Sequence, residues 1–182
     1  KDFPKQFHDV LGIGESLLQL SYNRLLDVCP PENIYIISNK DYYGLIKEQL
    51  PAMTDEQILL EPQLRNTAPC VAYAVHKIAQ KNPDANLIVS PADHLIVKQD
   101  KFKQVALKAL QEASARDVLI TFGITPTRPD TGYGYIEFDR EQEENGIYKV
   151  AAFKEKPDEA TAEKFLKAGN FVWNSGIFVW GI

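Results

Sequence analysis

The residues with the clearest chemical potential in this sequence are polar side chains that directly follow short apolar runs. Asp93 comes soon after the run Asn86–Ser90, and its carboxylate is a hard oxygen ligand of the kind that Mg²⁺ prefers. His94 could orient that carboxylate through a hydrogen bond. A lone Asp can equally cap a turn, so the spacing alone leaves a metal-binding and a structural interpretation open.

A second polar segment, from Glu61 to Pro69, leads from an apolar run into an amphipathic stretch. We expect Thr67 to cap the helix there, and the free N–H groups at a helix N-terminus attract anions. Glu61 and Asn66 carry the acceptors and donors needed to read the edge of a purine base, and Arg65 could meet a phosphate. A capped surface loop would contain the same residues, so both interpretations stay open.

Three later segments have residues suited to a phosphorylated, hydroxyl-rich ligand. Gly134 lies in a Gly-Tyr-Gly sequence, where a glycine lets the backbone come close to a ligand. Glu155 could hold two hydroxyl groups, and Lys156 could neutralise a phosphate. Asn174 offers an amide beside a glycine. A plain hairpin, a solvated charged face and an ordinary turn are the structural alternatives.

The elements that must position these residues alternate along the first 126 residues. We predict strands at 33–38, 58–60, 86–90 and 118–122, and helices at about 17–28, 41–50, 68–80 and 100–116. Ser16 and Gln19 form a capping box before the first helix, whose apolar face would include Leu17, Leu18, Leu25, Leu26 and Val28. Such alternation indicates an α/β fold with a parallel sheet, in which ligands bind beyond the carboxyl ends of the strands.

The pattern changes after Pro126. Residues 133–138 and 147–153 are predicted to form an antiparallel hairpin around an acidic turn at 139–146. A helix over 159–168 ends at Gly169, and an extended segment covers 171–180. We expect one domain over 1–182 with a smaller part that covers the ligand.

Bulk composition excludes several classes of protein. The chain has 182 residues and a net charge of −5, which argues against non-specific nucleic-acid binding. From its apolar runs we expect no membrane span and no signal peptide in this sequence. Cys29 and Cys70 have no partner at metal-ligand spacing, and we interpret both as reduced thiols of a cytoplasmic protein.

In their order along the chain, these segments resemble the mannose-1-phosphate guanylyltransferases, a family of the nucleotide-sugar pyrophosphorylase superfamily. The resemblance covers essentially the whole chain, and its motifs are Phe3-Pro4-Lys5-Gln6-Phe7, Leu17-Leu18-Gln19, Glu61-Pro62, Arg65-Asn66-Thr67-Ala68-Pro69, Pro91-Ala92-Asp93-His94, Gly123-Ile124, Pro126-Thr127, Thr131-Gly132-Tyr133-Gly134-Tyr135-Ile136, Glu155-Lys156-Pro157 and Trp173-Asn174-Ser175-Gly176-Ile177-Phe178. It implies a Rossmann-like, doubly wound, mostly parallel sheet with a small antiparallel sugar-binding appendage. Residues 1–126 would bind the nucleotide and residues 127–182 the sugar phosphate.

The resemblance also implies roles for individual residues. It makes Lys5 and Asp93 catalytic, with Asp93 as a Mg²⁺ ligand. The implied nucleotide contacts are Glu61, Arg65, Asn66 and Thr67, and the implied sugar-phosphate contacts are Gly134, Glu155, Lys156 and Asn174. The substrates would be GTP and mannose-1-phosphate, and the products GDP-mannose and pyrophosphate. A homodimer is left open.

The sequence departs from the family pattern at both ends. The family's glycine-rich phosphate loop and the strand before it do not precede Lys5, and the second metal-binding aspartate does not follow. We therefore expect a domain truncated at both ends. Two other functions stay open: a thymidylyl- or uridylyltransferase acting on glucose-1-phosphate, and a regulatory protein that binds nucleotide sugars without turnover.

Because the phosphate loop supplies the N–H groups that hold a triphosphate, we predict that the isolated 182-residue chain releases no pyrophosphate. A coupled pyrophosphate assay, run beside a longer protein that restores both ends, measures this. Release at a rate near that of the longer protein would contradict the prediction.

Overall fold

The computed structural model describes residues 3–63 and 66–182. The chain forms two compact units, Lys1–Leu119 with Val179–Ile182, and Ile120–Phe178. The predicted division at residue 126 stays a prediction. In the described residues, no helix is long and apolar enough to cross a membrane.

The first unit alternates helices and strands as the sequence indicates. Its elements are α1 (Leu17–Leu26), β1 (Ile36–Ser38), α2 (Tyr43–Gln49), β2 (Ile58–Leu60), α3 (Thr67–Ala79), β3 (Asn86–Val89) and α4 (Gln99–Ala115). Strands β1 and β2 pair in parallel, with Ile36 opposite Ile58. The predicted strand at 33–38 is shorter in the structure, because Pro31–Asn33 form a 3₁₀ turn before it.

Helix α1 begins at the predicted capping box, in which Ser16 and Gln19 exchange hydrogen bonds. Its buried face differs from the prediction. Leu26 is 42% exposed, because nine residues at about 100° each place it opposite Leu17 on the helix. Arg24, which is 2% exposed, lies on the buried face instead.

The second unit is built on antiparallel pairing. Its elements are β4 (Ile120–Ile124), β5 (Tyr135–Glu144), β6 (Ile147–Lys154), α5 (Glu159–Ala168) and most of β7 (Phe171–Gly181). Strand β5 pairs with β6 on one side and β7 on the other, so Tyr135 lies opposite both Lys154 and Trp173. Strand β4 pairs with β7. The α/β class is therefore confirmed, and so is the antiparallel hairpin.

The turn of this hairpin is tighter than predicted. Asn145 and Gly146 have φ values of 55° and 74°, as a two-residue turn with both residues left-handed requires. Strand β5 therefore continues to Glu144, with an irregular register between Phe138 and Glu143. Asn-Gly is a strong signal for a two-residue hairpin turn, but the acidic residues before it led us to predict a longer turn.

Two core clusters support the candidate site residues. In the first unit, Phe7 packs with a buried group of apolar residues, namely Leu18, Ile46, Leu50, Met53 and Ile58. In the second unit, Tyr135 and Trp173 pack with Ala162 and Phe171. Because Phe7 lies two residues from Lys5, and Trp173 and Tyr135 adjoin Asn174 and Gly134, both cores fix backbone next to predicted site residues.

Candidate functional site

The structure brings Lys5 and Asp93 together in the first unit. Lys5 lies in a 3₁₀ turn over Lys5–Phe7, and Asp93 lies in the loop that follows β3. Lys5 Nζ is 3.6 Å from Asp93 Oδ2, and the two side chains are 68% and 44% exposed. Exposed pairs of this kind contribute at most about 1 kcal/mol to stability. Both charges are thus accessible to a ligand.

The Lys5 turn is held by its buried neighbour and by a side chain of α2. Phe7 is 4% exposed, and its carbonyl accepts a hydrogen bond of 3.0 Å from Gln49 Nε2. The carbonyl of His8 accepts a bond from the Leu17 N–H at the start of α1. The short segment between Pro4 and His8 is therefore anchored at its end, which limits where the Lys5 side chain can reach.

His94 is half-buried beside this pair. Burial lowers the pKa of its imidazole, and the positive charges of Arg24 and Lys5 lower it further, while Asp93 opposes the shift. A lowered pKa leaves the ring neutral at pH 7. His94 can therefore donate or accept a hydrogen bond without adding charge next to Asp93.

One carboxylate at this position suits Mg²⁺ better than a metal with an all-protein ligand set. Magnesium commonly takes one or two carboxylates together with substrate phosphates and water. In the described residues, no group of three or more His, Cys, Asp or Glu side chains could hold a metal. Asp93 fits, because its carboxylate is accessible. The hydroxyl of Ser90, just after β3, is buried and unpaired in the part of the chain described.

Glu61 directly follows β2, and its N–H donates a 2.8 Å bond to Ser38 O, extending the β1–β2 pairing. It lines a cavity of about 320 Å³ with Pro62, Gln63, Pro69 and Tyr73. This volume is within the range of small-molecule sites. The predicted base-reading residue is thus at the wall of a cavity of suitable size.

Cys70, for which the sequence indicates no chemical role, is a partner of Glu61. Burial, the Glu61 charge and a hydrogen bond to Glu61 raise the pKa of the Cys70 thiol to about 11. The thiol is therefore protonated at neutral pH and can donate to the carboxylate. No sequence signal marked this contact, because it joins the residue after a strand to the first turn of a helix.

The start of α3 corrects one prediction. Thr67 is the first residue of the helix, and Asn66 is the N-cap with no capping hydrogen bond from its side chain. A residue with helical backbone cannot be the N-cap, so the predicted cap at Thr67 is wrong. Asn66 has φ 67° and ψ −173°, a strained conformation for a residue other than glycine. Arg65 lies outside the described residues.

In the second unit, Gly134 and Asn174 lie side by side. The Asn174 N–H donates a 2.8 Å bond to Gly134 O, and the Asn174 Oδ1 accepts a 2.9 Å bond from the Gly176 N–H. An added Cβ on Gly134 would lie 3.6 Å from Lys154 O and 3.8 Å from Asn174 Cβ. The protein itself therefore leaves room for a side chain at Gly134.

Glu155 and Lys156 follow the end of β6, directly after Lys154. Their side chains are 84% and 63% exposed, and Lys156 Nζ is 3.9 Å from Glu155 Oε1. Such exposure means that neither charge is required by the packing of the fold. Lys154 is the strand partner of Tyr135, which directly follows Gly134 in sequence. Glu155 and Lys156 directly follow Lys154, so the strand pairing brings this part of the backbone near Gly134.

A further group near Gly134 was not identified from the sequence. Arg128 pairs with Asp130 at 2.5 Å, and its guanidinium lies 5.4 Å from the ring of Trp173. The Gly132 N–H donates to Asp130. That bond lowers the pKa of Asp130 the most, burial opposes the shift, and the Arg128 side chain lowers the pKa further. The sequence Thr-Arg-Pro-Asp is typical of an ordinary turn, so the sequence alone did not mark Arg128 and Asp130 as candidate site residues.

Comparison with known proteins decides the family. The family model described as nucleotidyl transferase matches residues 1–181. The chain belongs to this family.

Its relatives agree with the resemblance seen in the sequence. The chain is 40% identical to the alginate biosynthesis protein AlgA of Pseudomonas aeruginosa over 98% of its own length and 37% of that protein. It is 39% identical to a mannose-1-phosphate guanylyltransferase of Salmonella montevideo, over 97% of the chain and 38% of the relative. The chain therefore spans less than half the length of these relatives.

A solved structure confirms the fold. A protein of Thermus thermophilus, described as a mannose-1-phosphate geranyltransferase, superposes with a TM-score of 0.83 at 31% identity. The match covers 92% of this chain and 48% of that protein. The α/β fold of this nucleotidyl transferase family member is thus the one that the sequence predicts.

We predict that Gly134→Ala in the full-length protein leaves the free energy of unfolding within about 0.5 kcal/mol of the wild type. For the sugar-phosphate contact that the resemblance predicts at Gly134, we expect a several-fold rise in KM, because the new methyl group would occupy space next to Asn174. Thermal unfolding and steady-state kinetics measure the two effects.

The matched control is Gly123→Ala, whose Cβ would overlap the side chain of Val172. This overlap should reduce stability by about 1–3 kcal/mol. An unchanged KM in Gly134→Ala would show that no ligand approaches this glycine.

Proposed function

We propose that the protein containing this chain transfers a guanylyl group from GTP to mannose-1-phosphate. A phosphate oxygen of the sugar phosphate attacks the α-phosphorus of GTP, the bond to the β-phosphate breaks, and the products are GDP-mannose and pyrophosphate. The observation that carries the proposal is the accessible Lys5–Asp93 pair, 3.6 Å apart, beyond the end of β3. The names of the relatives, at 39% and 40% identity, support it.

The residues of the first unit suit this reaction because phosphoryl-type transfer requires alignment and charge neutralisation more than a covalent nucleophile. Lys5 would neutralise charge on the triphosphate. Asp93 would hold Mg²⁺, which when bound draws negative charge from the phosphates. The raised pKa of both described thiols, Cys29 and Cys70, makes neither a nucleophile at neutral pH.

Guanine recognition is assigned to the cavity of about 320 Å³ at Glu61. A carboxylate can accept two hydrogen bonds from N1–H and the 2-amino group of guanine, and adenine lacks both of these donors. The Cys70 thiol, which is protonated at neutral pH, can donate to Glu61 and would help to orient the carboxylate at the cavity wall. Asn66, Thr67 and Arg65 remain proposed nucleotide contacts on their position in the sequence.

Binding of the sugar phosphate is assigned to the second unit. Glu155 would accept hydrogen bonds from sugar hydroxyls, and Lys156 would pair with the phosphate. The backbone at Gly134 and the amide of Asn174 would complete the contacts, since these two residues are joined by a 2.8 Å hydrogen bond.

We place this reaction in the cytoplasm. Free cysteines at positions 29 and 70 support a reducing compartment, because disulfides form and persist mainly in oxidising ones. The substrates are proposed to be GTP and mannose-1-phosphate alone, with no nucleic-acid partner. Light scattering would distinguish a monomer from a homodimer.

The test uses the full-length protein with GTP, ATP, UTP and dTTP, each combined with mannose-, glucose- and fucose-1-phosphate. We expect Mg²⁺-dependent pyrophosphate release with GTP and mannose-1-phosphate. Asp93→Asn should reduce kcat by about 100-fold or more, as loss of a charge-stabilising group in an active site commonly does.

The control is Asp27→Asn, which removes a surface carboxylate 3.6 Å from Lys103 Nζ and should not change the rate. A preference for another pair of substrates would contradict the proposed specificity for GTP and mannose-1-phosphate. Binding of GDP-mannose without pyrophosphate release from any pair would indicate a regulatory protein and contradict the proposed enzyme.

A further inference from the structure

Two buried side chains of helix α1 contact the loop that carries Asp93. Ser21 Oγ donates to the carbonyl of Ala92 at 3.3 Å, and Arg24 Nη1 donates to the carbonyl of His94 at 3.5 Å. The two accepting carbonyls belong to the residues immediately before and after Asp93. The loop is thus held on both sides of the predicted metal ligand.

The two side chains also bind each other. Arg24 Nη2 donates a 3.0 Å hydrogen bond to Ser21 Oγ, and this hydroxyl in turn donates to Ala92. One helical turn separates the two residues, so both face the loop from the same side of α1. Ser21, Arg24 and the two carbonyls therefore form a continuous chain of hydrogen bonds, which we term the α1 brace.

The buried charge of the α1 brace is unfavourable for the stability of the fold. Arg24 is 2% exposed, and its Nε has no hydrogen-bond partner in the described part of the chain. No carboxylate among the described ion pairs neutralises it, and burial lowers the pKa of its guanidinium. The guanidinium Cζ also lies 5.2 Å from the centre of the Phe102 ring. A buried cation without an acidic partner is usually destabilising relative to an apolar side chain.

The contacts to the loop are long for hydrogen bonds, so neither fixes the loop alone. A full positive charge nevertheless attracts a carbonyl dipole strongly when both are removed from water. Outer contacts of this kind restrict the orientation of a metal-binding carboxylate and commonly change metal affinity when removed. The position of the brace, directly behind Asp93, matches this role.

We propose that Ser21 and Arg24 are positioning residues, which hold the Asp93 loop in the geometry needed for the metal–phosphate complex. This inference rests on the proposed function for the role of Asp93. Neither residue touches the substrate, because both are buried, and both act through the backbone of Ala92 and His94. Lys5 acts on the exposed side of the same carboxylate.

The variant that tests the brace is Arg24→Met in the full-length protein. Methionine keeps an apolar stem of similar length and removes the charge and the donors, so we expect a folded protein of similar or higher Tm. The control is Leu20→Ala, which removes a 9% exposed side chain from the same helix and should lower Tm. Ser21→Ala should act in the same direction as Arg24→Met.

Two readouts separate positioning from folding. Hydrogen exchange of a peptide covering residues 90–97 should become faster in Arg24→Met than in Leu20→Ala. The Mg²⁺ concentration for half-maximal pyrophosphate release should rise about tenfold in Arg24→Met and stay unchanged in Leu20→Ala. Unchanged loop exchange together with an unchanged Mg²⁺ requirement would overturn the proposal.

The exchange measurement also distinguishes failure of this inference from failure of the proposed function. If the wild-type protein releases no pyrophosphate with any substrate pair, the proposed function fails. Loop exchange in Arg24→Met then decides the brace by itself. Faster exchange supports the brace, and exchange equal to that of the wild type overturns it.

Discussion

The first unit depends on one helix, α1, because it supports the segments that carry both charges of the candidate site. Leu18 of α1 packs with Phe7 in the first core cluster, and Phe7 anchors the turn that carries Lys5. On the same helix, Ser21 and Arg24 contact the loop that carries Asp93. The two charges are themselves exposed, while these supporting side chains are buried. This division leaves both charges accessible to a ligand while the backbone that carries them is held in place.

The second unit positions its residues in a different way. Backbone pairing of β5 with β6 and β7 places Tyr135 between Lys154 and Trp173, and the side chains at the site lie just beyond these paired positions. Gly134 and Asn174 are joined through their backbones, so their relative position depends on strand register. Tyr135 and Trp173, which are 0% and 8% exposed, fix that register by burying their rings.

The sequence predicted the elements well where a local signal specified them. The capping box at Ser16, the strand Ile58–Leu60 and the helix Glu159–Ala168 followed by Gly169 are all confirmed. The predicted strand at 33–38 was too long at its start, because a 3₁₀ turn over Pro31–Asn33 precedes β1. The cap at Thr67 was wrong because the helix begins one residue earlier than predicted, with Asn66 as its N-cap.

The candidate site shows the same limit. Motif order identified the segments that carry Lys5, Asp93, Gly134 and Asn174. Their supporting contacts could not be predicted, because each joins residues distant in sequence. Arg24 reaches a carbonyl 70 residues away, and only folding brings the two together. A buried arginine on an amphipathic helix resembles a surface residue in the sequence, since arginine is usually exposed.

The central claim, that Lys5 and Asp93 bind the triphosphate and its metal, is tested most directly by calorimetric titration of GTP into the full-length protein with Mg²⁺ and with EDTA. Lys5→Met should weaken binding in both conditions. Asp93→Asn should weaken it about tenfold with Mg²⁺ but not in EDTA, where the carboxylate only repels the phosphates. Equal weakening by Asp93→Asn in both conditions, or unchanged binding in Lys5→Met, would contradict the claim.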